Sequence, residues 1–323
     1  MRIFNLFWIV VAMLLSGGMA HAAYPDRVIT MYVPFPPASP NDQLARYIAP
    51  IMQKELGQPV IVVNKPGAGG TLGSAYVAGL PADGYSILLS SSSPMVVGPA
   101  VHTSYPFDPN KSFIPLIGIS TDGLAIVVNH NIKADTLQEL IDYARAHPGR
   151  VRFGTAGVGT APDIAGELMM GQTGIKMVHV PYQGGPKGLT DLLAGYIDMM
   201  INPTQQAADA AKTGKVRVLA AVSRSPSPAL PGIPTVGDLG LSRLAICQGW
   251  FAFFLPAGTP PDVVKKVSAA LQDGFNRPQF QPLKQIIGVV GDTISGPQMS
   301  VRISKELVDF QAIARERHIS IDY

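Results

Sequence analysis

The chain has 323 residues, 47% hydrophobic and 15% charged, with a formal net charge of +3. These values exclude a disordered chain and a binding surface for nucleic acid built on clustered basic charge, and the length suffices for two ordinary domains. The single cysteine, Cys247, excludes an intramolecular disulfide, and its setting Ala245-Ile246-Cys247 predicts a buried, inert thiol.

Residues 1–22 read as an export signal. Arg2 supplies the positive end, residues 6–15 are an uncharged apolar run, and Ala20-His21-Ala22 fits a small-x-small cleavage site. That run is too short to span a bilayer, and no later segment reaches ~18 uninterrupted apolar residues. A soluble exported protein beginning near Ala23 is expected.

The β-branched run 28–33 predicts a strand, followed by the loop Pro34-Phe35-Pro36-Pro37-Ala38. Ser39-Pro40-Asn41-Asp42 then has the spacing of a capping box, with proline at the favoured first helical position. The helix carries Leu44, Ile48, Ile51 and Leu56 on one face and stops at Gly57, and Pro50 predicts a kink or break within it. A strand at 60–63 leads into Gly67-Ala68-Gly69-Gly70-Thr71-Leu72-Gly73. The spacing is GxGxxxG, and the acidic residue expected about 20 positions later is missing, so a dinucleotide fingerprint is not met. These glycines predict close packing of a helix on the sheet. The strand at 85–90 runs into Ser90-Ser91-Ser92-Ser93-Pro94 and places hydroxyls, Ser91 among them, at a C-terminal strand end, where ligands gather in open α/β sheets.

A hydrophobic strand at 121–130 and a helix at 136–147 follow. Residues 151–163 then repeat the earlier grammar: a strand end, the small-residue loop Gly154-Thr155-Ala156-Gly157-Val158-Gly159-Thr160, and a helix start with Thr160 and Asp163 at capping-box spacing. Orphan N–H groups at that helix start, loop amides and the Thr155 and Thr160 hydroxyls make a place where a carboxylate can rest without Lys or Arg. Next come a strand at 177–181, the turn Tyr182-Gln183-Gly184-Gly185, a short helix, and a strand at 196–201 ending at Asn202, which is expected to face a cleft. Tyr182 is expected to flank a ligand, and His179 is expected to be structural. A strand at 243–255 and helices at 262–275 and 298–318 complete the chain.

The β-loop-α-β-Gly-loop-α-β order thus occurs twice, which predicts two similar α/β lobes with one loop of each facing a shared cleft. The expected lobes are 23–121 with 247–323, and 122–246, with two crossing segments as a hinge. There is no GxSxG elbow, HExxH, P-loop or Cys/His metal spacing, so no catalytic set, metal site or cofactor is expected.

The ordered set of motifs resembles a known family nearly end to end. It comprises Tyr24-Pro25, Val33-Pro34-Phe35-Pro36, Leu56-Gly57-Gln58-Pro59-Val60, Asn64-Lys65-Pro66-Gly67-Ala68-Gly69-Gly70 and Ala82-Asp83-Gly84-Tyr85. His179-Val180-Pro181-Tyr182, the run Leu230-Pro231-Gly232-Ile233-Pro234-Thr235-Val236 and Pro256-Ala257-Gly258-Thr259-Pro260 complete it. The chain resembles the extracytoplasmic solute receptors of the tripartite tricarboxylate transporters, the Bug proteins. The resemblance implies a two-lobe periplasmic binding protein of the type II kind that closes on a small carboxylate. It implies two integral membrane transporter subunits as partners, and a monomer is expected. Carried over, the binding loops are Phe35, Ala38, Ser39, Asn41 and Asp42 on one side and Gly154, Thr155, Ala156, Gly157, Gly159 and Thr160 on the other, with Tyr182 and Gly184 nearby. Where the family has Ala-Gly-Gly-Ser-Thr-Asp, this chain has Pro37-Ala38-Ser39-Pro40-Asn41-Asp42, which removes a backbone donor and stiffens the loop. Asp42 stays open to two readings, a helix cap or a charge in the cleft. A receptor of the same fold feeding a signalling partner, and an enzyme on a similar scaffold, are the alternative functions.

Overall fold

The structure is a computed structural model and describes residues 24–317 and 319–320. The export signal and the last residue of the predicted C-terminal helix, His318, lie outside the described residues. The first half contains β1 (Ile29–Val33), α1 (Pro40–Leu56), β2 (Val60–Asn64), α2 (Thr71–Ala78), β3 (Ser86–Ser91), β4 (Phe113–Thr121) and β5 (Leu124–Asn129). There follow α3 (Leu137–Ala146), β6 (Arg152–Thr155), α4 (Ala161–Thr173), β7 (Val178–Pro181), α5 (Gly185–Ala194), β8 (Met199–Pro203), α6 (Thr204–Ala211) and β9 (Val216–Val222). The chain ends with β10 (Trp250–Pro256), α7 (Pro261–Asn276), α8 (Phe280–Ile287), β11 (Val289–Ser295) and α9 (Gly296–Arg317).

These strands form two mixed sheets, one per lobe. The first has the order β11-β4-β10-β3-β1-β2 and the second β7-β6-β8-β5-β9. In the first, β1 runs parallel to β2 and β3, and β10 lies antiparallel between β3 and β4. In the second, β6 runs parallel to β7 and β8, and β5 lies antiparallel between β8 and β9. The chain therefore crosses between sheets from Thr121 to Leu124 and returns before Trp250. The first crossing is tied to the second and to the end of α8: Thr121 N–H donates to Gly249 O at 3.0 Å, Gln248 Nε2 to Thr121 O at 3.1 Å, and Asp122 N–H to Gly288 O at 2.8 Å. The buried Asp122 carboxylate accepts from Thr204 Oγ1 at 3.0 Å and from Ser227 Oγ. One buried apolar cluster is shared by both sheets and includes Leu88, Ile126, Phe153, Leu168, Trp250 and Phe254.

Several local expectations hold, and several differ. Gly57 caps α1 in the left-handed region at φ 72°, its N–H returning to Gln53 O. A Cβ on Gly73 would sit 2.3 Å from Lys65 O, so this glycine lets α2 lie close to the β2 end. Pro50 does not break α1, which runs unbroken through it. Pro50 is exposed, so the carbonyl left without a donor at Arg46 faces water. The predicted strand at 121–130 is two elements, the end of β4 and then β5 in the other sheet. Residues 242–247 form a 3₁₀ turn rather than the start of a strand, and pairing begins only at Trp250.

Candidate functional site in the interlobe cleft

The parallel strands β1, β3, β6 and β8 each end at loops bordering a cleft between the lobes, of about 120 Å³. From the first lobe come Phe35, Ser39, Pro40, Asn41 and Ser91-Ser92-Ser93; from the second come Leu124, Ala156, Thr160-Ala161-Pro162, Gly185-Pro186, Asn202 and Gln206. The strand ends at Thr121, Trp250 and Phe251, the second crossing at Cys247, and the end of α8 at Ile287 contribute as well. Among the described residues, no Lys, Arg, His, Asp or Glu belongs to this lining. The starts of α1, α4, α5 and α6 border it, and the positive ends of their helix dipoles favour an anion there.

The rims of the two lobes touch across the mouth. Ala161 N–H, at the start of α4, donates to Ser93 Oγ at 3.1 Å. Gly69 has φ 62°, and a Cβ there would lie 2.6 Å from Thr160 Cγ2. A Cβ on Gly184 would lie 2.6 Å from Pro36 Cγ.

Of the residues picked from the sequence, Phe35, Ser39, Asn41, Ser91, Ala156, Thr160 and Asn202 line the cleft. The others do not, and each has a visible engagement elsewhere. Asp42 is a hub beneath the first loop. It accepts from Ala38 N–H at 2.9 Å and Asn64 Nδ2 at 2.9 Å, and pairs with Arg46 at 2.9 Å. Burial pushes its carboxyl up, but the hydrogen bonds from Arg46, Asn64 and Ala38 outweigh this and hold it below the usual carboxylate range. The contacts of a helix cap are present: Ser39 Oγ accepts from Asp42 N–H at 3.4 Å, and Asp42 reaches back to Ala38, one residue before the box position. Ala38 itself sits in the left-handed region at φ 64°.

In the second loop, Thr155 is fully buried, and its hydroxyl meets His179 Nε2 at 2.6 Å. His179 Nδ1 lies 3.3 Å from Asp163 Oδ1, and Asp163 Oδ2 accepts from Gly159 N–H at 2.8 Å. Burial pushes Asp163 up to about 6, with the Gly159 bond opposing, and burial lowers His179. Near neutral pH this assigns an ionised Asp163 accepting from Nδ1–H of a neutral imidazole, whose Nε2 accepts from Thr155. Thr155 thus holds the loop from behind. Thr160 occupies the N-cap position, but its hydroxyl donates to Gly157 O at 2.6 Å instead of capping α4, and Asp163 completes its bond at Gly159. Gly154 is a packing glycine, since a Cβ there would lie 2.5 Å from Ile197 Cδ1. Gly157 has φ 139° and faces Gly69 N and Tyr182 O across tight gaps, while Gly159 has φ 71° against the His102 ring. The Tyr182 hydroxyl donates to Asp191 Oδ2 at 2.9 Å and is pushed up to about 12 by burial and that partner. Cys247 is buried at the cleft wall, and burial, with Asp163 nearby, raises its thiol above the ordinary range. Among the described residues there is no cluster suited to a metal ion and no helix long and apolar enough to cross a membrane.

Ser92 and Ser93 were within reach of sequence reasoning, because they share the hydroxyl run with Ser91. Leu124, Trp250, Phe251 and Ile287 carry no local signal and reach the cleft only through the fold.

The chain matches over residues 44–316 the model of the tripartite tricarboxylate transporter family receptor. It is 35% identical over 263 residues to Protein BugT of Bordetella pertussis, covering 80% of each chain. Among solved structures, the periplasmic binding protein BugD is 28% identical with a TM-score of 0.84, covering 93% of this chain and 100% of that one. An R. palustris protein solved with adipate is 25% identical with a TM-score of 0.85, at the same coverage. The chain belongs to the receptors of the tripartite tricarboxylate transporter family, alongside the Bug proteins.

Proposed function

We propose that this protein is a periplasmic receptor that binds one small carboxylate in the interlobe cleft and delivers it, as a monomer, to two integral membrane subunits of a secondary transporter. It performs no chemistry on its ligand. Residues 1–22 direct export, residues 23–121 and 247–323 form one lobe, and residues 122–246 form the other. The observation that carries the reading is an interlobe cleft lined by no charged side chain and bordered by helix starts and serine hydroxyls. Such a surface favours an anion through oriented dipoles and N–H groups, while holding no fixed charge that would resist release. The relative solved with adipate adds support for an acid as ligand.

Calorimetry on the exported chain with small acids and their primary amides tests this. An acid is expected to bind and its amide is not. Hydrogen bonds to a charged acceptor contribute roughly 1.5–3 kcal/mol each, so Ser91→Ala is expected to weaken the acid about 10- to 150-fold. Equal binding of acid and amide would contradict the reading.

A further inference from the structure

We infer that the acid taken by this cleft carries one carboxylate on a short apolar body, an aromatic or aliphatic monocarboxylate, in preference to a di- or tricarboxylate. This rests on the carboxylate reading above and narrows it.

The hydroxyl hydrogens available to an anion are gathered on one wall. Ser39 Oγ accepts from Asp42 N–H at 3.4 Å and Ser93 Oγ from Ala161 N–H at 3.1 Å, which leaves both hydroxyl hydrogens to donate. Neither they nor the Ser91 and Ser92 hydroxyls donate to any other described residue. All four serines belong to the β1–α1 loop and the β3 end, neighbouring segments of the first lobe. The two threonine hydroxyls in the lining are already committed, Thr160 to Gly157 O at 2.6 Å and Thr121 to Gly249 O at 3.0 Å. Asn202 Nδ2 bonds Gln206 Oε1 at 3.2 Å, and the amide hydrogens left over on this pair are neutral donors that suit a carbonyl or hydroxyl substituent.

Apart from Asn41, the other side chains of the lining are apolar, with Leu124, Cys247, Trp250, Phe251 and Ile287 the bulk of one wall. Trp250 already gives its indole N–H to Glu306, outside the cleft, at 2.8 Å, so its ring offers only an apolar face. A hydrocarbon body gains from leaving water against this wall. A second carboxylate there would lose its hydration with no cation and no set of charged donors to replace it.

Calorimetry on the exported chain with pairs that share a body separates the possibilities: hexanoate with adipate, benzoate with terephthalate, and citrate alone. The monocarboxylate of each binding pair is expected to be at least about 10-fold tighter, with citrate weaker than either. Adipate or terephthalate binding as tightly as its partner, or more tightly, would overturn the inference and leave the carboxylate reading standing. If hexanamide and benzamide match their acids, or no acid in the panel binds, the carboxylate reading fails and the inference fails with it.

Discussion

Asp163 best illustrates how single side chains shape this site without lining the cleft. Its carboxylate joins the Gly159 amide to His179, and through His179 to Thr155, so one buried group fixes both ends of the second loop. Burial on folding pushes its carboxyl from the ordinary aspartate range up to about 6. Between about pH 4 and 6 the folded chain therefore retains a proton that the unfolded chain has lost, and stability falls as pH rises through that window. The shift corresponds to at most about 3 kcal/mol. Glu167, also raised by burial, acts in the same sense; His179, lowered by burial, acts oppositely and loses stability as pH falls below its ordinary value. Asp163→Asn isolates the effect, because the amide oxygen still accepts from Gly159. Urea unfolding is expected to show wild type losing up to about 3 kcal/mol relative to the variant between pH 4 and pH 7. A difference that does not change with pH would mean that burial does not perturb this carboxyl. The sequence pointed to Thr155 and Tyr182 as ligand contacts because small and polar residues marked the turns. Turn chemistry locates a loop but does not say which side chain faces inward, and here both hydroxyls found protein partners behind the loop.

At the level of elements, the paired β-loop-α units were legible because β-branched runs, capping residues and Gly turns each have a local cause. The strands at 28–33, 60–63 and 85–90 all form, shifted by a residue or so at their ends. β4 was missed because Pro115 and Gly118 interrupt its pattern, and it is held by antiparallel neighbours β10 and β11 from far along the chain. The same distance hides Trp250, Phe251 and Ile287 from any reading of the cleft by motif. The loop between β2 and α2 has a role beyond sheet packing: Gly69 meets the Thr160 loop of the other lobe. Gly69→Ala adds a methyl 2.6 Å from Thr160 Cγ2 and places alanine at φ 62°, which costs about 1–2 kcal/mol. Isothermal calorimetry is expected to show acid binding weakened at least ~10-fold, since the rims no longer meet. Wild-type affinity would place the closure contact elsewhere.

In the whole molecule, two sheets joined by two crossings surround an uncharged cleft, and helix starts from both lobes border one small volume. The first crossing, between Thr121 and Leu124, is short and held by the Asp122–Gly288 and Thr121–Gly249 bonds, so motion is expected as a hinge about these bonds rather than as internal rearrangement of either sheet. The central claim is that a carboxylate lies between the two loops and is held by neutral donors. A crystal structure of the exported chain with an acid that binds by calorimetry tests it most directly. The carboxylate is expected within hydrogen-bond distance of groups from both Ser39–Asn41 or Ser91–Ser93 and Ala156–Ala161, with no Lys or Arg side chain in contact. An acid found outside the cleft, or held there by a basic side chain drawn in from elsewhere, would contradict it.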